Sequence, residues 1–237
     1  MSLALKLVLS PLLVAQAIGT RRRAPVLPEA SGERHGVIGS GEPLRVLIVG
    51  DSSGAGVGVP TQDLALAGHL SRTLAREAGR QVHWQLVAQS GITSAQALAM
   101  VRRESLRPAE VAVAVLGVND VIDQVPSMRA VQHRAALADW LLAHAGVRHV
   151  VFAPLPPVHQ FPLLPQPLRW IMGRDARRHD EAMARWAATR HDVSHVPIAI
   201  RLDASCMASD GFHPGEPVYR ACGEALARHI ATTTTLR

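Results

Sequence analysis

Four short, mainly apolar runs punctuate the chain: Arg45 to Gly50, His83 to Ala88, Val111 to Leu116 and Arg148 to Phe152, the first and third without polar alternation. Runs of this length, rich in β-branched residues and bounded by turn formers, predict strands buried on both faces. The stretches between them change period. Leu66, Leu70 and Leu74 recur every four residues within 63–78, which predicts a helix with one apolar face, and Gly79 can end it. Helices are likewise predicted over 93–103, 131–144, 176–190 and 216–231. Strands alternating with helices imply an α/β fold, a parallel sheet covered on both faces through right-handed crossovers. Residues 154–173 break the pattern, because six of the sixteen prolines fall there. An irregular connection that long tends to be functional.

Composition sharpens this picture. With 48% hydrophobic and 19% charged residues in a chain of 237, a packed core is expected, of a size one domain can hold. The predicted domain spans 45–237. Residues 23–44, with Pro25, Pro28, Pro43 and four glycines, are expected to form a linker, so 1–44 is an N-terminal extension. Leu3 to Ile18 is almost wholly apolar and precedes Arg21, Arg22 and Arg23, but it is shorter than the roughly 20 residues of a spanning helix. Ala15-Gln16-Ala17 has the form of an export cleavage site. The positive cluster, however, follows the apolar run instead of preceding it. The expectation is therefore a cytoplasmic protein with peripheral membrane contact through residues 3–23; export, including to a periplasm, and a helix docked on its own domain are the alternatives.

The net charge of +6 does not point to nucleic acid, since three Phe, four Trp and one Tyr offer few stacking platforms. The excess sits in two places, residues 1–45 and 169–190, each beside an apolar segment. Cys206 and Cys222 match neither a disulfide framework nor a zinc site, and no closely spaced His pair makes a convincing metal site. No metal is implied.

Ligands of open parallel sheets bind beyond the carboxyl ends of the strands. Three clusters follow predicted strands there: Gly50-Asp51-Ser52-Ser53-Gly54, Ser90-Gly91 and Gly117-Val118-Asn119-Asp120; a fourth, Asp210-Gly211-Phe212-His213, precedes the last helix. Gly54-Ala55-Gly56 is no phosphate loop, because no Gly-Lys-Ser/Thr follows. Together the four supply what acyl transfer needs. Ser52 can be the nucleophile, His213 the base, and Asp210 the carboxylate that orients it; the N–H groups of Ser52 and Gly91 and the Asn119 amide can meet an oxyanion.

At these residues the sequence resembles the SGNH hydrolases, the GDSL-type esterases and lipases, over about 45–231 and with the motifs in the family's order. Ser53 stands where the family usually has Leu, and Gln89 where an Asn often precedes the glycine. The resemblance implies a three-layer flavodoxin-like fold with strand order 2-1-3-4-5, no cofactor, and a serine esterase acting through an acyl-enzyme on Ser52. Phe161, Leu164 and Trp170, in the proline-rich segment, are the candidate substrate contacts, and they favour a lipid-like or simple acyl ester. A carbohydrate O-acetyl esterase and a catalytically silent binding protein on the same fold are the alternatives. Oligomeric state is not indicated.

Overall fold

The computed structural model describes residues 3–235. Its central strand is β2 (Pro43–Gly50), which pairs in parallel with β3 (Gln81–Ala88) on one side and β4 (Val111–Val115) on the other. Parallel pairing continues from β4 to β5 (His149–Phe152) and from β5 to β6 (Val193–His195). Counted from β2, these five strands lie in the order 2-1-3-4-5, as the resemblance implies. A sixth strand, β1 (His35–Ile38), adds antiparallel to the free edge of β3, giving β1-β3-β2-β4-β5-β6 overall.

Alternate residues of the central strands enter different layers. Val46 and Ile48 of β2 join Leu66, Leu70 and Leu74 of α2 (Leu66–Ala78) and Leu226 and Ile230 of α7 (Glu216–Thr235). Leu47 and Val49 join Val101 of α3 (Ser94–Val101), Leu137 and Leu141 of α5 (Ser127–His144) and Met183 of α6 (Leu168–Ala187). The leucine spacing that predicts α2 is thus the spacing of its buried face. Thr93 starts α3 through a capping box with Gln96.

Two expectations change, and two short elements are added. The segment 23–44 is not a free linker: β1 lies within it, and so do residues that hold the site (below). Four residues of alternating half-exposure carry too little pattern to be read as a strand. Next, α6 begins at Leu168 instead of 176, because the prolines end at Pro167, just before the first turn, where proline costs a helix nothing. Finally, the short helix α4 (Val118–Ile122) and the three-residue β6 are too brief to show a period.

Residues 154–167 remain irregular apart from one 3-10 turn at Val158–Gln160. Leu155, Phe161 and Leu164 pack with Leu168, Met172, Leu202 and Met207 into a third apolar cluster. This cluster underlies the carboxyl edge of the sheet. The remaining helix, α1 (Leu3–Arg23), lies against the start of α6, where Gln16 Nε2 donates to Gln166 O (2.7 Å) and Leu168 N–H donates to Gln16 Oε1 (3.2 Å).

Candidate active site

Where β2 ends, the chain turns at once through Asp51, Ser52 and Ser53. The turn is tight because Gly50 and Gly54 lie back to back: a Cβ on Gly50 would stand 2.6 Å from Gly54 Cα. Ala55 N–H donates to Asp51 O (2.8 Å) and Val57 N–H to Ser52 O (3.0 Å), so the turn is held by its own backbone. Ser52 is left half-buried, with Oγ 3.0 Å from His213 Nε2.

The imidazole comes from the loop before α7. His213 Nδ1–H donates to Asp210 Oδ2 (2.5 Å), while the N–H groups of Phe212 and His213 each donate to Asp210 Oδ1 at 2.9 Å. Burial of Asp210 opposes its charge. The three hydrogen bonds outweigh that cost and hold its carboxyl below the usual value, so it stays ionised. The Phe212 ring meets His213 edge-on at 5.2 Å and Phe161 edge-on at 5.1 Å, which wedges the imidazole against the third apolar cluster. Ser52, His213 and Asp210 therefore form a continuous hydrogen-bonded chain.

Of the expected oxyanion groups, Asn119 lines the same cleft as Ser52, and Gly91 lies in the neighbouring loop after β3. Gly91 has φ +81°, a backbone conformation that a side chain would strain. Asn119 stands in the first turn of α4 and spends one amide hydrogen on Ile92 O (2.9 Å), which ties it to the Gly91 loop. The N–H groups of Ser52 and Gly91 donate to no acceptor among the described residues. Ser52, Asn119 and His213 share a cleft whose other walls include Pro156, Phe161, Leu202, Met207, Phe212 and Val218. The cleft is apolar on the side away from the imidazole.

The substrate-contact candidates separate. Phe161 lines the cleft, whereas Leu164 is buried behind it in the third cluster. Trp170 does not reach the cleft: it stands 44% exposed on the outer side of α6, with the Arg174 guanidinium 5.0 Å over its ring. Since α6 starts at Leu168, its phase turns Ile171 and Met172 inward and Trp170 outward. Cys206 and Cys222 are free thiols. Among the described residues, no group of three His, Cys, Asp or Glu is placed to hold a metal.

Several supporting residues were not legible. Asp120 is fully buried and accepts from Ser94 Oγ (2.6 Å) and Ser94 N–H (3.2 Å), locking α4 to α3 next to Asn119. Arg134, also fully buried, faces Asp120 and Asp180; burial lowers its pKa and the two carboxylates oppose the shift. Glu29, in the expected linker, accepts the N–H and O–H of Ser90, both at 2.7 Å, and pairs with Arg34, whose Nη1 donates to Ala88 O (2.7 Å). Partial burial of Glu29 opposes its charge, but these bonds hold its carboxyl below the usual value. The loop that carries Gly91 is thus clamped by the N-terminal extension.

Asp51 behaves oppositely to Asp210. Full burial, with Asp120 nearby, pushes its carboxyl up to about 7, and the hydrogen bond from Ser53 N–H (3.0 Å) and the neighbouring His213 only partly compensate. The folded state therefore holds this proton where an unfolded chain has released it. The stabilisation linked to that proton is fully present below the ordinary carboxylate value and is lost as pH rises through about 7. Asp51→Asn is expected to gain stability over the parent as pH rises from 5 to 9, by an amount on the order of a few kcal/mol at the alkaline end. Thermal melts across that range check it, and parallel pH profiles for the two proteins would refute the buried proton.

Residues 48–221 match the sequence profile of the GDSL-like Lipase/Acylhydrolase family. No curated protein matches the chain. Among solved structures, the lipase Lip_vut3 from a goat rumen metagenome is similar at TM-score 0.65 and 16% identity, over 79% of this chain and 97% of that one. A lipase/acylhydrolase from Enterococcus faecalis is similar at TM-score 0.58 and 17% identity, over 80% and 96%. The psychrotrophic esterase EstA from Pseudoalteromonas sp., solved with monoethylphosphonate as inhibitor, is similar at TM-score 0.55 and 16% identity, over 81% and 98%. At such identities the likeness is one of fold.

Proposed function

Because the chain belongs to the GDSL-like lipase/acylhydrolase family and is a serine ester hydrolase by that membership, we propose that it cleaves carboxylic esters with apolar acyl groups through an acyl-enzyme on Ser52. The observation that carries this reading is the unbroken chain from Ser52 Oγ through His213 to Asp210 at the mouth of an apolar cleft.

In the proposed reaction the ester carbonyl lies between Ser52 Oγ and the oxyanion donors. Ser52 attacks while His213 Nε2 takes its proton, and the imidazolium is held by ionised Asp210. The developing oxyanion meets the N–H groups of Ser52 and Gly91 and the free amide hydrogen of Asn119. Collapse expels the alcohol, which receives the proton from His213. Water then attacks the acyl-Ser52 carbonyl with His213 again as base, releasing the acid and restoring the serine.

Phe161, Phe212 and Val218 on the cleft wall favour a hydrocarbon acyl group over a sugar, since the lining offers few polar groups to bind hydroxyls. A series of p-nitrophenyl esters of increasing chain length tests this. Activity is expected to extend beyond acetyl, and Phe161→Ala should depress the longer esters more than the acetate. A sharp preference for acetyl, with release of acetate from acetylated glycans, would overturn the apolar-acyl reading in favour of an O-acetyl esterase.

A further inference from the structure

The two faces of α1 differ. Its inner face is fixed to the domain: Leu13 packs against the third apolar cluster, Gln16 bonds to Gln166 and Leu168, and Thr20 is buried. At 100° per residue, this sets Pro11, Val14, Ala15 and Ile18 on the opposite side, followed on the same side by Arg21 and Arg22. Val14 is 56% exposed, Ile18 48% and Leu12, on the flank, 47%. These are three of the eight large apolar side chains that the described residues expose, gathered on two turns of one helix. No charge interrupts the sequence from Ser10 to Thr20.

The charges beside the stripe indicate what would cover it. Arg21, Arg22 and Arg23 are exposed and have no carboxylate partner among the described residues. By contrast, half of the arginines in the second basic segment are occupied: Arg174 stacks on Trp170, Arg178 pairs with Asp175, and Arg190 pairs with Asp139 and Asp192. The first acidic residue of the chain is Glu29, which is engaged by Ser90 and Arg34. A second copy of α1 would therefore bring three more arginines and no counter-charge, whereas a phosphate-bearing lipid surface complements both the apolar stripe and the arginines. No helix among the described residues is long and apolar enough to cross a membrane, so α1 would lie in the surface plane.

From these observations we propose that α1 docks the protein on an anionic lipid surface, its Val14–Ile18 face among the acyl chains and Arg21–Arg23 on the headgroup phosphates. This goes beyond the ester chemistry and does not depend on Ser52. The same helix touches, through Gln16, the end of the irregular segment that carries Phe161 into the cleft. Docking therefore places a rim of the cleft beside the lipid.

Co-flotation of the full chain with vesicles tests the proposal, comparing mixed phosphatidylglycerol/phosphatidylcholine with phosphatidylcholine alone. The protein is expected to float with the anionic vesicles and to be released by high salt. Replacing Arg21, Arg22 and Arg23 together by Gln should weaken binding roughly a hundredfold. Val14→Glu with Ile18→Glu should abolish it. All five positions are exposed, so the melting temperature and the hydrolysis of a soluble ester should not change. Failure to float, or equal binding to neutral vesicles unaffected by the Arg replacements, would overturn it. So would a dimer in solution that Val14→Glu with Ile18→Glu converts to monomer, which would assign the face to a second copy.

Discussion

Ser52→Ala is expected to lower kcat/KM for a soluble chromogenic ester by about four orders of magnitude or more, with the melting temperature unchanged. The hydroxyl carries the hydrogen bond from Ser52 to His213, and its loss leaves the imidazole facing the cleft without that partner. The turn itself rests on backbone bonds and on the Gly50–Gly54 contact, which alanine preserves. A fluorophosphonate probe gives an independent reading, because only an activated serine reacts quickly. The parent should label at one site and Ser52→Ala should not. Undiminished hydrolysis in Ser52→Ala would remove Ser52 from the chemistry, and a parent that neither labels nor hydrolyses any ester would turn the fold into a scaffold.

The second large effect is expected at Asn119. Removing one oxyanion donor costs about 10²–10³ in kcat, or roughly 2.7–4 kcal/mol of barrier. Asn119→Ala should do so with little change in KM, because the amide is aimed at charge that exists only in the transition state. The bond from Asn119 to Ile92 O adds a structural cost, which a melting curve separates from the kinetic one. A rise in KM at constant kcat would instead make Asn119 a binder of the ground-state ester.

Much of this site can be read from residues alone because its signals are local and dense. Three of the four blocks sit directly after an apolar run, and in the fourth Asp210 and His213 are separated by a single turn, so strand prediction places most of the chemistry. The two-faced burial of β2 and β4 follows from the uninterrupted aliphatic residues at 46–49 and 111–115. The supports are harder to see. Glu29 acts on Ser90 across 61 positions, and Asp120 on Ser94 across 26, with no period or spacing to announce either. The linker expectation fails for the same reason: proline and glycine mark irregular backbone, and irregular backbone can still be firmly bonded. Trp170 illustrates another gap, since apolar content in a loop predicts burial of the group but not which member faces the cleft.

The clamp at Glu29 also sets a length. Between the end of α1 at Arg23 and Glu29 lie residues 24–28, a span of at most about 20 Å at full extension, and Pro25 and Pro28 stiffen it. A leash so short does not let the helix and the reacting centre wander apart. Whatever surface captures α1 also carries the Gly91 loop with it, so esters lying in that surface are met at their local concentration there and not at their dilution in bulk water.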